Sequence, residues 1–268
     1  MQSLAEIADD LAAGRTTSRA LTEAALARID DPAGEGARAF IKVYHEAALE
    51  CAKASDQARA HGIVPSPLAG IPVSIKDLCD VAGEVTLAGS SVRQDAEAAT
   101  KDAPAVARLR AAGAVITGRT NMVEFAMGAP GTNAHYGTPK NAWDRATGRI
   151  PGGSSSGAAV SVTDGMAAAA LGTDTAGSVR IPAALCGLAG FKPTARRVPT
   201  EGIYPLSRTL DSVGPLAPTV ACCALVDAVF AGAAPPELTP RPLQGLRLAV
   251  PKYLVFDDVD DTVGAAFQ

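Results

Sequence analysis

A serine-rich loop near the middle of the chain offers hydroxyl groups that could act as nucleophiles. The loop, Gly153–Gly157, reads Gly-Ser-Ser-Ser-Gly and fits the G-x-S-x-G elbow of α/β-hydrolases. That elbow needs an acid and a histidine later in the chain. The three histidines, His45, His61 and His135, all precede the loop. The elbow therefore does not describe this sequence, unless its partner residues lie beyond residue 268.

Without a suitable histidine, an activated serine needs another base, which could be a lysine, an aspartate or a glutamate, and Lys76 is a candidate. It follows directly on the apolar run Gly70–Ile75, which predicts a buried strand. Burial disfavours an ammonium group and lowers the pKa of a lysine towards the range of a useful base. A structural ion pair between Lys76 and Asp77, or another acidic residue, explains the same placement. The residues alone do not decide between these two interpretations.

Other catalytic and binding motifs are absent from the sequence. It contains no Walker A loop, no G-x-G-x-x-G and no S-x-x-K, so neither a nucleotide-phosphate cradle nor the β-lactamase arrangement is expected. The net charge is -4 and no basic stripe stands out, so we expect no direct contact with nucleic acid. No run of 18 apolar residues occurs, so no membrane span is predicted.

The cysteines give a further indication of the kind of protein. There are five, an odd number, and none forms a CxxC pair. This argues against a structural zinc site and against a disulfide framework. Reduced cysteines are typical of cytoplasmic proteins, and we therefore expect a cytoplasmic location.

The elements that must position these residues alternate between helices and strands. Ser3-x-x-Glu6 is a capping-box pattern that begins the first helix, and Pro104 fits the first turn of a later one. The segments predicted as helices are about 4–11, 18–29, 44–60, 103–112 and 180–186, and those predicted as strands are 68–75, 114–117 and 246–250. This alternation predicts an α/β fold with a largely parallel sheet. The long Gly-, Pro- and Ser-rich segment 128–157 predicts a functional loop.

Five segments, in order and at consistent spacing, closely resemble the amidase signature family. They are Gly70–Asp77, Pro151–Gly157, Gly172–Ala183, Cys186–Gly187 and Gly190–Thr194. The resemblance runs from the first helices to about residue 255. It implies a mixed, largely parallel central sheet with helices on both faces, a serine amidase activity and no cofactor or metal.

The resemblance also implies roles for individual residues. Lys76 matches the catalytic lysine, Ser154 the bridging serine on a cis peptide after Gly153, and Ser178 the nucleophile. The supporting positions comprise the backbone N–H groups of an oxyanion hole at Thr175, Ala176 and Gly177, an ion pair between Asp174 and Arg180 that braces this turn, and Ser155. For Ser155, a hydrogen bond near the nucleophile and a loop-stabilising role are both open.

This sequence departs from the family pattern in two residues and in length. Ser156 and Ala176 stand where glycines are common. Ala176 should be tolerated if its φ is negative. A complete family domain continues well beyond residue 268. We therefore expect residues 1–268 to be the N-terminal catalytic portion of an amidase signature domain, truncated at the C-terminus.

Three alternative functions, each with its own substrate or partners, are compatible with the sequence. The favoured one is a stand-alone amidase that cleaves a small carboxamide through an acyl-enzyme, with a homodimer as the expected assembly. The second is the glutamine-hydrolysing A subunit of a tRNA-dependent amidotransferase, with partner subunits. Thr120–Gly128 resembles that subgroup, whereas Ile181 and Ala195–Pro199 differ from it. The third is an inactive truncated fragment.

Overall fold

The computed structural model describes residues 1–240, 242–251 and 257–268. They form two compact units, residues 1–236 and residues 237–268. All the candidate site residues lie in the larger unit. Across the described ranges, no helix combines the length and the apolar character that crossing a membrane requires.

The larger unit alternates helices and strands, as the sequence predicts. Its helices are α1 (Leu4–Ala12), α2 (Ser18–Asp30), α3 (Gly36–Ala39), α4 (His45–Ala60), α5 (Pro104–Ala111), α6 (Ser156–Thr163), α7 (Arg180–Leu185) and α8 (Val220–Ala231). Its strands are β1 (Phe40–Val43), β2 (Pro72–Lys76), β3 (Val115–Thr120), β4 (Ala169–Asp174), β5 (Ala189–Gly190) and β6 (Ser212–Ala217). Short 3₁₀ turns cover Ser91–Arg93 and Glu124–Ala126.

Local sequence signals explain several element boundaries. The predicted capping box forms at α1, where Ser3 and Glu6 each accept a backbone N–H of the other. Thr17 caps α2 by accepting the N–H of Ala20. Pro104 occupies the first turn of α5, where the absence of its N–H costs nothing. The predicted helices at these positions are confirmed.

The six strands form one mixed sheet in the order β1-β3-β2-β4-β6-β5. Strand β2 pairs in parallel with both β3 and β4. Strand β1 is antiparallel to β3, and β6 is antiparallel to both β4 and β5. Four strands therefore point in one direction and two in the other. This confirms the predicted mixed, largely parallel sheet.

The register between β2 and β4 determines which residues meet at the edge of the sheet. Val73 lies opposite Ala169, and Ile75 lies opposite Leu171. The carboxyl ends of these parallel neighbours, Lys76 and Asp174, therefore emerge at the same edge. In open α/β sheets this edge is where sites are built.

Helices cover both faces of the sheet, as predicted. On one face, buried side chains of α1, α5 and α8 belong to one apolar cluster with Val73, Ile75 and Leu171. On the other face, α6 packs against Ala170 and Leu216. Gly157 lets α6 approach closely, because a Cβ there would lie 2.2 Å from the carbonyl oxygen of Ala39.

Two of the predicted strands differ in the structure. The apolar run 68–75 is extended only from Pro72, because residues 68–71 form a turn before β2. The predicted strand 246–250 is wrong, since these residues have no regular structure and pair with no strand in the described part of the chain. A strand needs a partner for its backbone groups, and an apolar run alone does not provide one. In the smaller unit, Asp260 caps helix α9 (Asp261–Phe267).

Candidate active site

Lys76, at the end of β2, is fully buried and has two hydroxyl partners. Its Nζ lies 2.8 Å from Ser154 Oγ and 2.9 Å from Thr173 Oγ1. Burial lowers the pKa of Lys76 to about 7, although Cys79 and the carboxylates of Asp174 and Asp211 act to raise it. An amine with this pKa is substantially neutral near pH 7 and can accept a proton.

The alternative interpretation of Lys76 as an ion-pair partner of Asp77 or another acid is wrong, since both of its polar contacts among the described residues are to hydroxyl groups. The Asp77 carboxylate instead accepts a hydrogen bond of 2.8 Å from Nε of Arg119. Arg119 also donates to the backbone carbonyls of Asp77 and Cys79, at 2.9 and 3.0 Å. These bonds hold the backbone immediately after Lys76 in place and leave the amine to the hydroxyl groups.

Ser154 lies in a loop whose backbone is held on several sides. The peptide between Gly153 and Ser154 is cis, as predicted. The Ser154 carbonyl accepts the N–H of Val123 at 3.1 Å, and the Gly153 N–H donates to the carbonyl of Ala129 at 2.6 Å. Ser154 has no exposed surface. Its hydroxyl is therefore fixed next to Lys76.

Ser178 lies between the end of β4 and the start of α7, and it is half-buried. Its carbonyl accepts the N–H of Ser155 at 3.2 Å, which brings the two serine loops together. Among the described residues, its hydroxyl has no hydrogen-bond partner, so the bond to Ser154 Oγ that a bridging serine implies is not formed. A half-buried serine hydroxyl reaches solvent and is free to rotate, whereas that of Ser154 is held by burial.

Ser155 braces the two serine loops in two ways. Its backbone N–H donates to Ser178, and its Oγ lies 3.3 Å from the carbonyl oxygen and 3.4 Å from the nitrogen of Thr173. Both interpretations of Ser155 thus describe part of its environment. It stabilises the loop, and it does so at the backbone of Ser178.

The turn before Ser178 is organised by the carboxylate of Asp174, which is fully buried. It accepts the backbone N–H of Gly177 at 2.8 Å and that of Val179 at 3.2 Å. Arg180 adds the predicted ion pair, at 2.9 Å. Burial acts to raise the pKa of Asp174, but the hydrogen bonds from Arg180 and from the backbone outweigh it and lower that pKa. Asp174 is therefore the ionised centre of the turn.

The expected oxyanion donors differ in whether their backbone N–H groups already have an acceptor. The Gly177 N–H is occupied by Asp174. The N–H groups of Thr175, Ala176 and Ser178 have no acceptor among the described residues. Ala176 is not among the residues with positive φ, so the condition for tolerating it is met. Three free donors in one turn are suited to binding a negatively charged oxygen.

Two residues of this region are not predicted from the sequence. Thr173 contacts the Lys76 amine, and Asp211 accepts a hydrogen bond of 2.5 Å from Thr175 Oγ1. Asp211 also accepts the backbone N–H groups of Leu206 and Ser207, at 2.9 and 3.0 Å. The pairing of β4 with its neighbours creates both contacts. Only Thr173 has a signal in the sequence, as a polar residue at the end of an apolar strand.

Comparisons with known proteins identify a matching family and similar relatives. A family model described as Amidase matches residues 20–268. The chain is 43% identical over 269 residues to the A subunit of glutamyl-tRNA(Gln) amidotransferase from Chloroflexus aggregans, a match that covers 96% of this chain and 54% of the relative. It is 45% identical over 223 residues to 2-amino-5-chloromuconic acid deaminase of Comamonas testosteroni, covering 82% of this chain and 48% of the relative.

A solved structure shares the fold. The native peptide amidase of Stenotrophomonas maltophilia superposes with a TM-score of 0.78 at 38% identity, over 87% of this chain and 48% of that one. The chain spans about half the length of the curated relatives it matches. Together with the family match over residues 20–268, these similarities show that the chain belongs to the amidase signature family.

Proposed function

We propose that the protein hydrolyses the carbon–nitrogen bond of a small carboxamide through an acyl-enzyme on Ser178. One observation carries this proposal. The buried amine of Lys76, with a pKa lowered by burial to about 7, lies 2.8 Å from the hydroxyl of Ser154. This pairing gives a general base and a proton relay where no histidine is available.

The proposed reaction moves one proton along the two serines. The oxygen of Ser178 attacks the amide carbon while its proton passes to Ser154, and the proton of Ser154 passes to the amine of Lys76. For this step the Ser178 hydroxyl rotates towards Ser154. The proton then returns through Ser154 to the leaving nitrogen as the C–N bond breaks and ammonia departs. Water cleaves the resulting ester by the same route, giving a carboxylic acid and free Ser178.

In this proposal, the turn before Ser178 stabilises the negative charge that develops on the carbonyl oxygen of the substrate. The N–H groups of Thr175, Ala176 and Ser178 are the proposed donors, since that of Gly177 is held by Asp174. One such donor contributes roughly 2.7–4 kcal/mol to transition-state stabilisation. In this proposal Asp174, Arg180 and Ser155 support the turn and make no contact with the substrate.

Within this proposal, residues 1–268 are the N-terminal catalytic portion of one amidase signature domain. The family match over residues 20–268 supports this assignment. The proposed location is the cytoplasm, where thiols stay reduced. The five cysteines all lie in the described ranges and are free, which supports it. The proposed assembly is a homodimer for a stand-alone amidase.

The second candidate is the A subunit of a tRNA-dependent amidotransferase, with glutamine as substrate and other subunits as partners. Curated relatives with that name, such as the Chloroflexus aggregans protein at 43% identity, favour it. Ile181 favours the stand-alone enzyme, because it stands where the amidotransferase subgroup usually has glutamine. The Cδ1 atom of Ile181 lies over Gly177, 2.6 Å from the position that a Cβ on this glycine would occupy. An apolar side chain therefore covers the nucleophile turn.

Ammonia release from the protein expressed at the full length of its gene tests the two candidates. We expect hydrolysis of a short aliphatic carboxamide without partner subunits, and a kcat/KM for glutamine that is lower by at least about tenfold. Hydrolysis of glutamine alone, and only with partner subunits present, would favour the amidotransferase. Ser178→Ala is the control for contaminating amidases. No ammonia from either substrate, with partner subunits added, would contradict both candidates.

A further inference from the structure

The amine of Lys76 has a second partner that the proposed reaction does not use. Thr173 Oγ1 lies 2.9 Å from Nζ, a distance almost equal to the 2.8 Å that separates Nζ from Ser154 Oγ. Thr173 is the residue before the Asp174 that organises the nucleophile turn, and it is 5% exposed. A buried hydroxyl at this distance constrains how the amine can turn.

The number of hydrogen-bonding positions on a neutral amine makes this constraint specific. A neutral lysine has two N–H donors and one lone pair, and it can accept a proton only along the lone pair. If one N–H donates to Thr173, rotation about the last bond of the side chain is restricted. The lone pair can then be held towards Ser154, which is the orientation that proton transfer requires.

Thr173 is itself held in place, so its hydroxyl can serve as a fixed reference point. Its backbone nitrogen and carbonyl both contact Ser155 Oγ, at 3.4 and 3.3 Å. In the sheet, Thr173 lies opposite Val213 of β6. The backbone of Ser155 is in turn bonded to Ser178. Thr173 therefore links the base to the nucleophile turn by a route that bypasses Ser154.

We propose that Thr173 is a positioning residue that orients the Lys76 amine for proton transfer from Ser154. The inference rests on the proposed function of Lys76 as the base. Thr173 makes no contact with the reacting bond in this scheme. It acts through Lys76 alone, and its effect must therefore appear in the protonation behaviour of the amine.

Replacing Thr173 by valine keeps the shape of the side chain and removes the hydroxyl. We expect Thr173→Val to lower kcat about 10- to 100-fold. As a hydrogen-bond acceptor, the Thr173 hydroxyl also stabilises the ammonium form of Lys76. Its loss should move the acidic limb of the kcat/KM profile to lower pH, by about one unit. The charged or titratable groups acting on the amine are Asp174, Asp211 and Cys79, and none of them is changed.

Two variants serve as controls in the protein expressed at the full length of its gene. Thr173→Ser restores the hydroxyl and should return both kcat and the acidic limb towards the wild type. Thr117→Val removes another buried threonine hydroxyl, which bonds the carbonyl of Val73 at 3.2 Å and not Lys76. It should leave the acidic limb unchanged. This separates positioning from a general effect on the sheet.

The outcomes distinguish this inference from the proposed function. If Lys76→Met abolishes activity but Thr173→Val keeps the kcat and the acidic limb of the wild type, the inference is wrong and the function stands. A faster Thr173→Val enzyme would show that the hydroxyl occupies the lone pair, which also overturns it. If Lys76→Met remains active, the proposed function itself fails.

Discussion

The amine of Lys76 and the hydroxyl of Ser154 lie 2.8 Å apart, although the two residues are 78 positions apart in the sequence. The contact joins the end of β2 to the loop that precedes α6. Neither side chain has exposed surface, so the hydrogen bond is formed away from bulk water. In such surroundings the orientation of the two groups is fixed before the reaction begins.

Removing the amine should abolish most of the activity. Lys76→Met fills much of the same buried space without a base, and we expect kcat for amide hydrolysis to fall by about 10²–10⁴-fold. The Lys76→Met, Ser154→Ala double variant should be little worse than either single variant, since both act in one proton path. Steady-state kinetics with all three proteins measures this. Additive losses would show two independent contributions.

The rate should depend on pH through the protonation of Lys76. Its pKa, lowered by burial to about 7, makes the amine mostly charged below that pH and unable to accept a proton. We therefore expect kcat/KM to rise with pH through about 7, and to fall about tenfold for each pH unit below it. A rate that is flat between about pH 5 and 8 would contradict a lysine base.

The sequence predicts the principal residues of the site better than their contacts. The position of Lys76 after an apolar run predicts both its burial and its lowered pKa, because desolvation follows from the strand. The contact with Thr173 depends on the register of β2 against β4, which no local pattern specifies. The bond from the Gly177 N–H to Asp174 joins residues only three positions apart, and it depends on the conformation of the turn, which the residue types alone do not specify.

Fold-level predictions succeed where local signals and tertiary structure agree. The capping box at Ser3 and the proline at the start of α5 each specify a helix boundary, and both are found. The segment 246–250 has the composition of a strand but no partner strand in the described ranges. Apolar composition indicates burial, and pairing decides whether a strand forms.

Asp174 and Arg180 should contribute unequally to stability. Asp174 is fully buried and accepts three backbone N–H groups, whereas the side chain of Arg180 is 53% exposed. We expect Asp174→Ala to lower the free energy of unfolding by about 3 kcal/mol, since buried donors lose their acceptor. Arg180→Ala should cost about 1 kcal/mol, because solvent screens the pair. Urea denaturation of both variants measures the difference, and equal losses would contradict this account.

The two small residues of the nucleophile turn should differ in how well they tolerate substitution. Gly177 has a φ of +126°, and an added Cβ would lie 2.6 Å from Ile181 Cδ1. Gly177→Ala should therefore distort the turn and lower kcat by at least about tenfold. Ala176→Gly is the matched control, since it adds no atoms at an exposed position, and it should keep most of the activity. Kinetic assays of the pair would contradict the account if Gly177→Ala were the milder change.

Trapping the covalent intermediate tests the central claim most directly. An activated ester should acylate the protein faster than the resulting acyl-enzyme is hydrolysed, so the acyl-enzyme accumulates. Rapid quenching, followed by mass spectrometry of the peptides, then locates the acyl group. We predict an adduct on the peptide that contains Ser178, absent in Ser178→Ala and formed much more slowly in Lys76→Met. An acyl group on another residue, or turnover of the ester with no adduct at Ser178, would contradict the proposed mechanism.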